Sequence, residues 1–405
     1  MNQQLSLFSK SSVPGFLDDL AKFSFSGAPT LVDTSASVPV FVNEFWTARQ
    51  RQANRLHEIS YRACFKPQLP AFFIDRLTCV GDIVYDPFMG RGTTPIEAAL
   101  RQRVAYGNDI NPLSKALTAP RLSPPTLAQV EARLAEIPFA EFKTINREDL
   151  LAFYHPQTLA HLQGLRDWMI SRENDGQFDI VDAWIRMVAI NRLTGHSPGF
   201  FSVYTLPPNQ AVTVERQRKI NEKRNQTPPM RDLAAIILKK SKSLLSQNTL
   251  VKQPGHFFSG PSTDTPGIPG QSVALTVTSP PFLDIVDYVG DNWLRCWFLG
   301  IDAETVAISR HRTVEAWTDF TAATLAELAR VTRPGGHVVY EVGEVRNGTV
   351  KLEDHVLRAA ADLSFDPLCI MINQQEFTKT ANCWGVTNNK GGTNSNRMVV
   401  LQKSG

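Results

Sequence analysis

The sequence predicts an α/β fold, a mostly parallel sheet with a helical insertion placed inside it. Three observations predict it. Residues 81–86 form a short apolar run, residues 95–103 read as a helix and residues 104–110 as a second strand, which is the spacing of a βαβ unit. Strand-like runs return at 273–278 and 337–345, and the last βα-type elements extend to Leu401. Between about 120 and 246 the apolar residues instead recur at helical spacing, over 127–137, 157–172, 180–193 and 230–245.

Composition sets the outer limits. A chain of 405 residues has room for a large core and two domains. Its hydrophobic fraction of 42% is that of a globular protein, and no apolar run approaches the length of a membrane span. Met1-Asn2-Gln3-Gln4-Leu5 lacks the basic-then-apolar pattern of a signal peptide. The five cysteines (Cys64, Cys79, Cys296, Cys369, Cys383) never form Cys-x-x-Cys, which fits reduced thiols and argues against a disulfide framework or structural zinc. The eight histidines form no ligand spacing, so no metal is expected. These readings predict a cytoplasmic protein with no membrane partner. A net charge of +3 means that any surface for a polyanion is local.

In chain order, residues 1–40 read as a flexible segment, with Ser, Pro and Thr concentrated over 24–39. Residues 45–60 read as an amphipathic helix with Arg and Gln on its wet face. The expected division is a flexible segment at 1–40, an α/β domain made of 41–119 and 251–405, and a helical insertion at 120–250. That insertion, about 130 residues, is near the usual size of a domain.

Asp86-Pro87-Phe88-Met89-Gly90-Arg91-Gly92-Thr93-Thr94 follows the first strand. Gly90 and Gly92 suit a turn with positive φ and let a ligand approach the backbone. Thr94 is a candidate N-cap, Pro95 suits the first helical position and Glu97 would complete a Thr-x-x-Glu capping box. A helix N-terminus aimed at the loop offers N–H groups to an anion. Asp109 ends the second strand, 17 residues beyond Gly92, where a carboxylate can accept from two ribose hydroxyls. The competing reading is a tight strand–helix turn with no ligand. A nicotinamide or flavin fits less well, because Pro95 stands where Gly-x-Gly-x-x-Gly needs its third glycine.

Ser279-Pro280-Pro281-Phe282 follows the carboxyl end of the 273–278 run, the edge where open α/β sheets bind ligands. Two prolines fix φ twice and remove two N–H donors, so carbonyls, the Ser279 hydroxyl and the Phe282 ring remain. Such acceptors suit the exocyclic amine of a flat base: holding its N–H bonds frees the nitrogen lone pair toward an electrophile. A base enters such a pocket flipped from its duplex and stacked on an aromatic ring. Alone, the loop also reads as a rigid strand exit packed in the core. Asp284 and Asp287 either line the pocket or solvate a helix end.

Within the insertion, residues 213–252 hold ten basic residues (Arg216, Arg218, Lys219, Lys223, Arg224, Arg231, Lys239, Lys240, Lys242, Lys252) against Glu215, Glu222 and Asp232. The patch is either a phosphate-binding surface or a solvated helix face. The preceding loop, residues 195–204, carries His196, Phe200, Phe201 and Tyr204. It either enters a nucleic-acid groove or anchors itself through Phe200 and Phe201. Trp293 and Trp297 share a helix face and are expected in the core.

The two motifs together resemble those of S-adenosyl-L-methionine-dependent DNA amino-methyltransferases of the N4-cytosine/N6-adenine group. Residues 86–93 are similar to motif I and residues 279–282 to motif IV. Residues 65–70, beginning Phe65-Lys66-Pro67, resemble motif X, although the motif is commonly Phe-Pro. Residues 108–112 resemble motif II, and Arg333-Pro334-Gly335-Gly336 the late Pro-Gly-Gly turn. The insertion falls ahead of the third strand, outside the family's common positions. The resemblance implies a Rossmann-like class I methyltransferase fold with a seven-stranded, mostly parallel sheet. It implies S-adenosyl-L-methionine held by Phe65, Lys66, Pro67, Asp86, Phe88, Gly90, Gly92, Thr93, Thr94, Asp109 and Asn111, and a base amine held by Ser279, Pro280, Pro281 and Phe282. Double-stranded DNA is the implied partner, with His196, Phe200, Arg216, Arg218, Lys219, Lys223 and Arg224 as its candidate contacts. Ser before Pro-Pro favours N4 of cytosine over N6 of adenine. An RNA or tRNA amino-methyltransferase and a non-catalytic DNA-binding protein are the alternatives. A cognate restriction endonuclease would be another chain, since nothing here resembles a nuclease, and the sequence fixes neither the recognition site nor the oligomeric state. Location at the nucleoid would follow from DNA as substrate.

Overall fold

The computed structural model describes residues 13–46, 53–62, 64–206, 211–247, 255–281, 283, 288–308, 311–343, 349–374 and 395–405. Phe282, Asp284, Asp287, Lys252 and Cys383 lie outside the described residues, as does 47–52 of the expected helix at 45–60. The described end of that stretch is a single 3-10 turn, Arg55–His57, capped by the Asn54 side chain.

Of the expected flexible segment 1–40, the described residues 13–40 carry a helix and short strands. Helix α1 (Val13–Lys22) leads into a two-strand ribbon, β1 (Ser24–Phe25) and β2 (Ala28–Pro29), and then β3 (Leu31–Asp33) and β4 (Val40–Asn43). The Ser/Pro/Thr richness marks the turns of these short strands rather than disorder. Asn43 fixes the entry, its amide donating to Phe23, Ala28 and Thr30.

The core then follows as α2 (Gln68–Leu77), β5 (Ile83–Asp86), α3 (Thr93–Leu100), β6 (Val104–Asp109) and α4 (Pro112–Thr118). The helical insertion comprises α5 (Leu127–Glu136), α6 (Pro156–Asn174), α7 (Ile180–Arg192), α8 (Val214–Arg224) and α9 (Leu233–Leu245). The sheet resumes with β7 (Gly255–Ser259) and β8 (Val273–Thr278). After them come α10 (Tyr288–Phe298), α11 (Val314–Val331), β9 (Thr332–Val342), α12 (Leu352–Ala360), β10 (Phe365–Gln374) and β11 (Ser395–Lys403).

The main sheet has nine strands in the order β3-β4-β10-β11-β9-β8-β5-β6-β7, not the expected seven. Strands β7, β6, β5, β8 and β9 run parallel, and β11 is antiparallel to both β9 and β10. Those seven strands match the implied sheet, and the two additions are β3 and β4 from the N-terminal segment, with β4 parallel to β10. The fold is therefore α/β and Rossmann-like. Strand order reverses at β5 and β8, the point where such sheets bind ligands. Every residue of β8 is buried, as expected of a central parallel strand covered on both faces.

The insertion is tied to the rest of the chain, through Arg166 to the Trp297 carbonyl and Lys240 to Glu58, as well as to itself. Helix α7 buries Trp184, Ile185, Met187 and Val188, and α9 buries Ile237 and Leu244. The Trp184 indole donates to Ser241 across these two helices. Asp182 is fully buried and paired with both Arg133 and Arg172, which fastens α5 and α6 to α7. Trp293 and Trp297 pack against the core, as their spacing predicted.

Candidate active site

Strands β5 and β8 are neighbours, in register through Val84–Leu275 and Tyr85–Thr276. Two motifs 192 residues apart are thus brought to one sheet edge. Their strand ends are joined directly, because the Thr278 hydroxyl donates to Asp86 Oδ1 at 2.7 Å and the Phe88 N–H to the same oxygen at 3.1 Å. Asp86 is 1% exposed. Burial pushes its carboxyl up to about 7, against the pull of those donors, and the nearby Asp109 charge adds to the rise.

The glycine loop turns as expected. Gly90 and Gly92 have φ of +49° and +78°, and the Met89 N–H donates to the Asn108 carbonyl at 3.0 Å. The helix start differs from expectation. Gly92 is the N-cap of α3 without a side-chain cap, and Thr94 lies inside the helix, its hydroxyl donating to the Val277 carbonyl at 3.0 Å. Glu97 does not close a capping box; it meets His57 at 2.6 Å and Arg101. Tertiary partners in a buried first turn outcompeted the local cap.

Asp109 ends β6 with its carboxylate braced from both sides. The Gly90 N–H donates to Oδ2 and the Asn111 N–H to Oδ1, each at 2.9 Å. Each oxygen keeps a lone pair for a further donor. Burial raises the carboxyl from its ordinary value. The Asn111 side chain caps α4 by accepting from Leu113 N at 3.0 Å. The Asn108 amide donates to the Gly260 carbonyl at 2.9 Å, which draws the segment after β7 into the same edge.

These pieces surround one cavity of about 210 Å³. It is lined by Phe88, Gly90, Asp109 and Asn111 from the first motif and its partner strand, and by Ser279 and Pro281 from the second. The sequence did not single out Tyr61, Ser262, Thr263, Ile308 or Phe320 as site residues; they line the wall beside Ile110 of the 108–112 stretch. Tyr61 lies beside Gly90, and a Cβ built there would meet its ring at 3.4 Å. Phe320 packs against Phe88 with ring centroids 5.8 Å apart, and against His311 at 4.6 Å. None of these carries a local motif; they reach the cavity only through tertiary packing.

Several expected contacts lie elsewhere. Phe65, Lys66 and Pro67 do not line the cavity; Phe65 packs on the core and Pro67 precedes α2. Asp86, Gly92, Thr93, Thr94 and Pro280 are buried behind the wall and shape it. Arg91 and Arg121 brace this region from below. Arg91 donates to the His57 and Ile59 carbonyls, and Arg121, fully buried, to those of Leu56, Leu117 and Arg91. Burial draws the Arg121 guanidinium down to about 9.

Two buried groups touch the second loop from outside. Glu341 of β9 lies beside the Ser279 hydroxyl and accepts from Asn396 at 2.8 Å, and burial raises its carboxyl. The fully buried Trp317 of α11 donates its indole N–H to the Pro281 carbonyl at 3.0 Å.

In the insertion, the start of the basic stretch forms α8, which lies outside the four helical runs read from periodicity. Thr213 caps it, and its Arg216, Arg218, Lys219 and Lys223 are exposed. Its inner face is fixed by Gln217 and Asn221, which donate to the Tyr204 and Ala152 carbonyls. Arg224 lies 3.8 Å from the centre of the Tyr204 ring. Lys240 is spent on Glu58 at 2.9 Å. Of the preceding loop, Phe200 is 7% exposed and Phe201 fully buried, so both rings anchor the loop and Phe200 offers no face to a groove. His196 is half-buried beside Phe200, at 6.2 Å between ring centres. Among the described residues no group of three or more His, Cys, Asp or Glu could hold a metal ion, and no helix is long and apolar enough to cross a membrane.

Residues 5–118, the stretch that contains the glycine loop and Asp109, match the sequence model of a family described as DNA methylase. Over 66 residues the chain is 38% identical to the Type II methyltransferase M.MjaII of Methanocaldococcus jannaschii, covering 16% of this chain and 12% of that protein. Over 129 residues it is 28% identical to the Type II methyltransferase M.MvaI of Kocuria varians, covering 31% of this chain and 25% of that protein. The chain therefore spans at most a quarter of the length of these relatives. Among solved structures, TrmN from Thermus thermophilus is 12% identical, with a TM-score of 0.34 over 87% of this chain and 53% of that one.

Proposed function

We propose that this chain, which through residues 5–118 falls in the N4/N6 DNA amino-methyltransferase family, transfers a methyl group from S-adenosyl-L-methionine to the exocyclic amine of a base flipped out of double-stranded DNA. The observation that carries the reading is the shared cavity: the glycine loop and Asp109 on one side, Ser279 and Pro281 on the other. A donor and an acceptor of a methyl group must meet within van der Waals reach, and one cavity with both kinds of wall meets that need.

The residues fit S-adenosyl-L-methionine. Gly90 brings bare backbone to the cavity edge, the free lone pairs of Asp109 suit two ribose hydroxyls, and Phe88 and Ile110 offer apolar faces to an adenine ring. When bound, the cofactor supplies an electrophilic methyl on a sulfonium. Ser279, at the cavity wall, would accept an amine N–H and so orient the nitrogen lone pair toward that methyl. The Phe320 and Ile308 walls exclude water from the approach. N4 of cytosine is the preferred target, through Ser279, with N6 of adenine as the alternative. The insertion, 120–250, is the proposed target-recognition region, with the exposed Arg216, Arg218, Lys219 and Lys223 on phosphates.

The test is incubation with methyl-labelled S-adenosyl-L-methionine and unmethylated DNA, then digestion to nucleosides and mass spectrometry. Label on N4-methylcytosine is expected. Label on N6-methyladenine would keep the mechanism and overturn the base assignment. Absence of label in DNA, with label in RNA, would overturn the substrate.

A further inference from the structure

Pro280 and Pro281 have no N–H, so their backbone can be tied only through carbonyls, by a donor from outside the loop. That donor is Trp317. Its indole N–H reaches the Pro281 carbonyl at 3.0 Å from a side chain with no solvent exposure. A buried indole N–H needs a partner, and a buried carbonyl needs a donor, so each satisfies the other.

Trp317 also links this loop to the rest of the cavity. It stands on the first turn of α11, and Phe320, three residues on, forms part of the cavity wall against Phe88. Leu283, immediately beyond the loop, is 2% exposed in the same apolar cluster as Trp317. Helix α11 is thus a fixed support carrying one clamp on the second loop and one wall next to the first.

We propose that Trp317 is a positioning residue for methyl transfer, holding the Pro281 carbonyl turned toward α11 and so fixing Ser279 at the cavity wall as the acceptor for the amine. The inference rests on the methyltransferase reading above. It assigns Trp317 no contact with substrate; it acts through the loop. Displacement of the loop by a fraction of an ångström would misalign the amine with the methyl while leaving the cofactor wall in place.

The experiment replaces Trp317 with the isostere benzothienylalanine, in which sulfur stands for the N–H, and compares it with Trp317→Phe in the full chain. Three quantities are read: the single-turnover rate of methyl transfer to DNA, the Kd for S-adenosyl-L-methionine, and the thermal midpoint. The isostere should lower the transfer rate on the order of tenfold or more. Its cofactor Kd should stay within about twofold, and its melting should fall only by the cost of the unsatisfied Pro281 carbonyl, less than for Trp317→Phe, since the ring volume is kept. Trp317→Phe, which also opens a void, should lower rate and stability together. An isostere with an unchanged transfer rate overturns the positioning role. A rate that falls only in step with cofactor affinity and melting overturns it in favour of a structural role. If the unsubstituted protein binds S-adenosyl-L-methionine but methylates no nucleic acid, the parent reading fails, and this inference with it.

Discussion

At the scale of single residues, Asp86 of the first motif and Asp109 of its partner strand do different work, and each can be tested alone. Asp109 keeps a lone pair on each oxygen facing the cavity. Asp109→Ala should therefore weaken S-adenosyl-L-methionine binding by about tenfold or more, the cost of two lost charge-assisted hydrogen bonds, as read by calorimetric titration. Asp86 instead binds the ends of β5 and β8 together, and its carboxyl sits near 7 rather than 3.8. The unfolded chain gives up that proton near pH 4 and the folded chain only near 7. Below about pH 4 the group is neutral in both states and costs nothing; as pH rises through the window the folded state loses stability relative to the unfolded one. The slope is up to about 1.4 kcal/mol per pH unit. Asp86→Asn keeps an oxygen to accept from Thr278 and Phe88 and removes the titration. The difference in melting temperature between variant and parent should grow in the variant's favour from pH 5 to 8; a constant difference would show that Asp86 ionises normally. Asp109 was legible because a strand end after a glycine loop leaves few roles for an acid. Trp317, Glu341, Tyr61 and Phe320 were not, because nothing local distinguishes them from other core and surface side chains, and only the fold brings Tyr61 and Phe320 to the cavity and Trp317 and Glu341 to the loop behind it.

At the scale of elements, the loop between β5 and α3 separates two uses of glycine. At Gly92 the φ is +78° and a Cβ would lie 2.3 Å from Thr118 Oγ1 and 2.8 Å from its Cβ. Gly92→Ala combines left-handed strain with overpacking against α4, for a loss of about 2–4 kcal/mol in urea denaturation. At Gly90 the φ is +49° and the nearest atom to a Cβ is the Tyr61 ring at 3.4 Å. Gly90→Ala should cost about 1 kcal/mol of stability but narrow the cavity edge, so its larger effect should appear in cofactor affinity. Equal losses of both properties in the two variants would argue against the division. The sequence read both glycines correctly as turn residues and misplaced the helix start by two residues. Thr94 has the composition of a cap, yet it is fully buried, and its bond to Val277 on β8 overrides the local preference. The same limit explains the N-terminal strands. β1 to β4 are two to four residues long, too short for alternation to register; β3 and β4 join the sheet because β10 offers β4 a partner, while β1 and β2 pair with each other.

At the scale of the whole molecule, the question is where a polyanion would lie on a chain of net charge only +3. The α/β class and the candidate ligand edge were legible in two loops and their strands, and the seven-stranded sheet in the resemblance they carry, but the geometry of the insertion was not, since helical periodicity gives faces without directions. The structure sorts several of the ten basic residues by availability, Lys252 lying outside the described residues. Lys240 is consumed by Glu58 and Arg224 stacks on Tyr204, whereas Arg216, Arg218, Lys219 and Lys223 stand on the exposed side of α8. That helix is held by Gln217 and Asn221, not by its charges, so the charges can be removed without loosening it. Arg216→Ala, Arg218→Ala and Lys223→Ala together should leave the melting temperature within about 1–2 °C, since exposed charges contribute little to folding. If each contacts a phosphate, the slope of log K against log salt should shrink by about 0.9 per contact, hence by between two and three in all, with weaker binding to every DNA sequence alike. Fluorescence anisotropy of a labelled duplex across 50–200 mM salt gives that slope directly. A slope unchanged by the triple substitution would make α8 a solvated face and move the DNA surface elsewhere, whereas a loss confined to one sequence would make these side chains readers of bases.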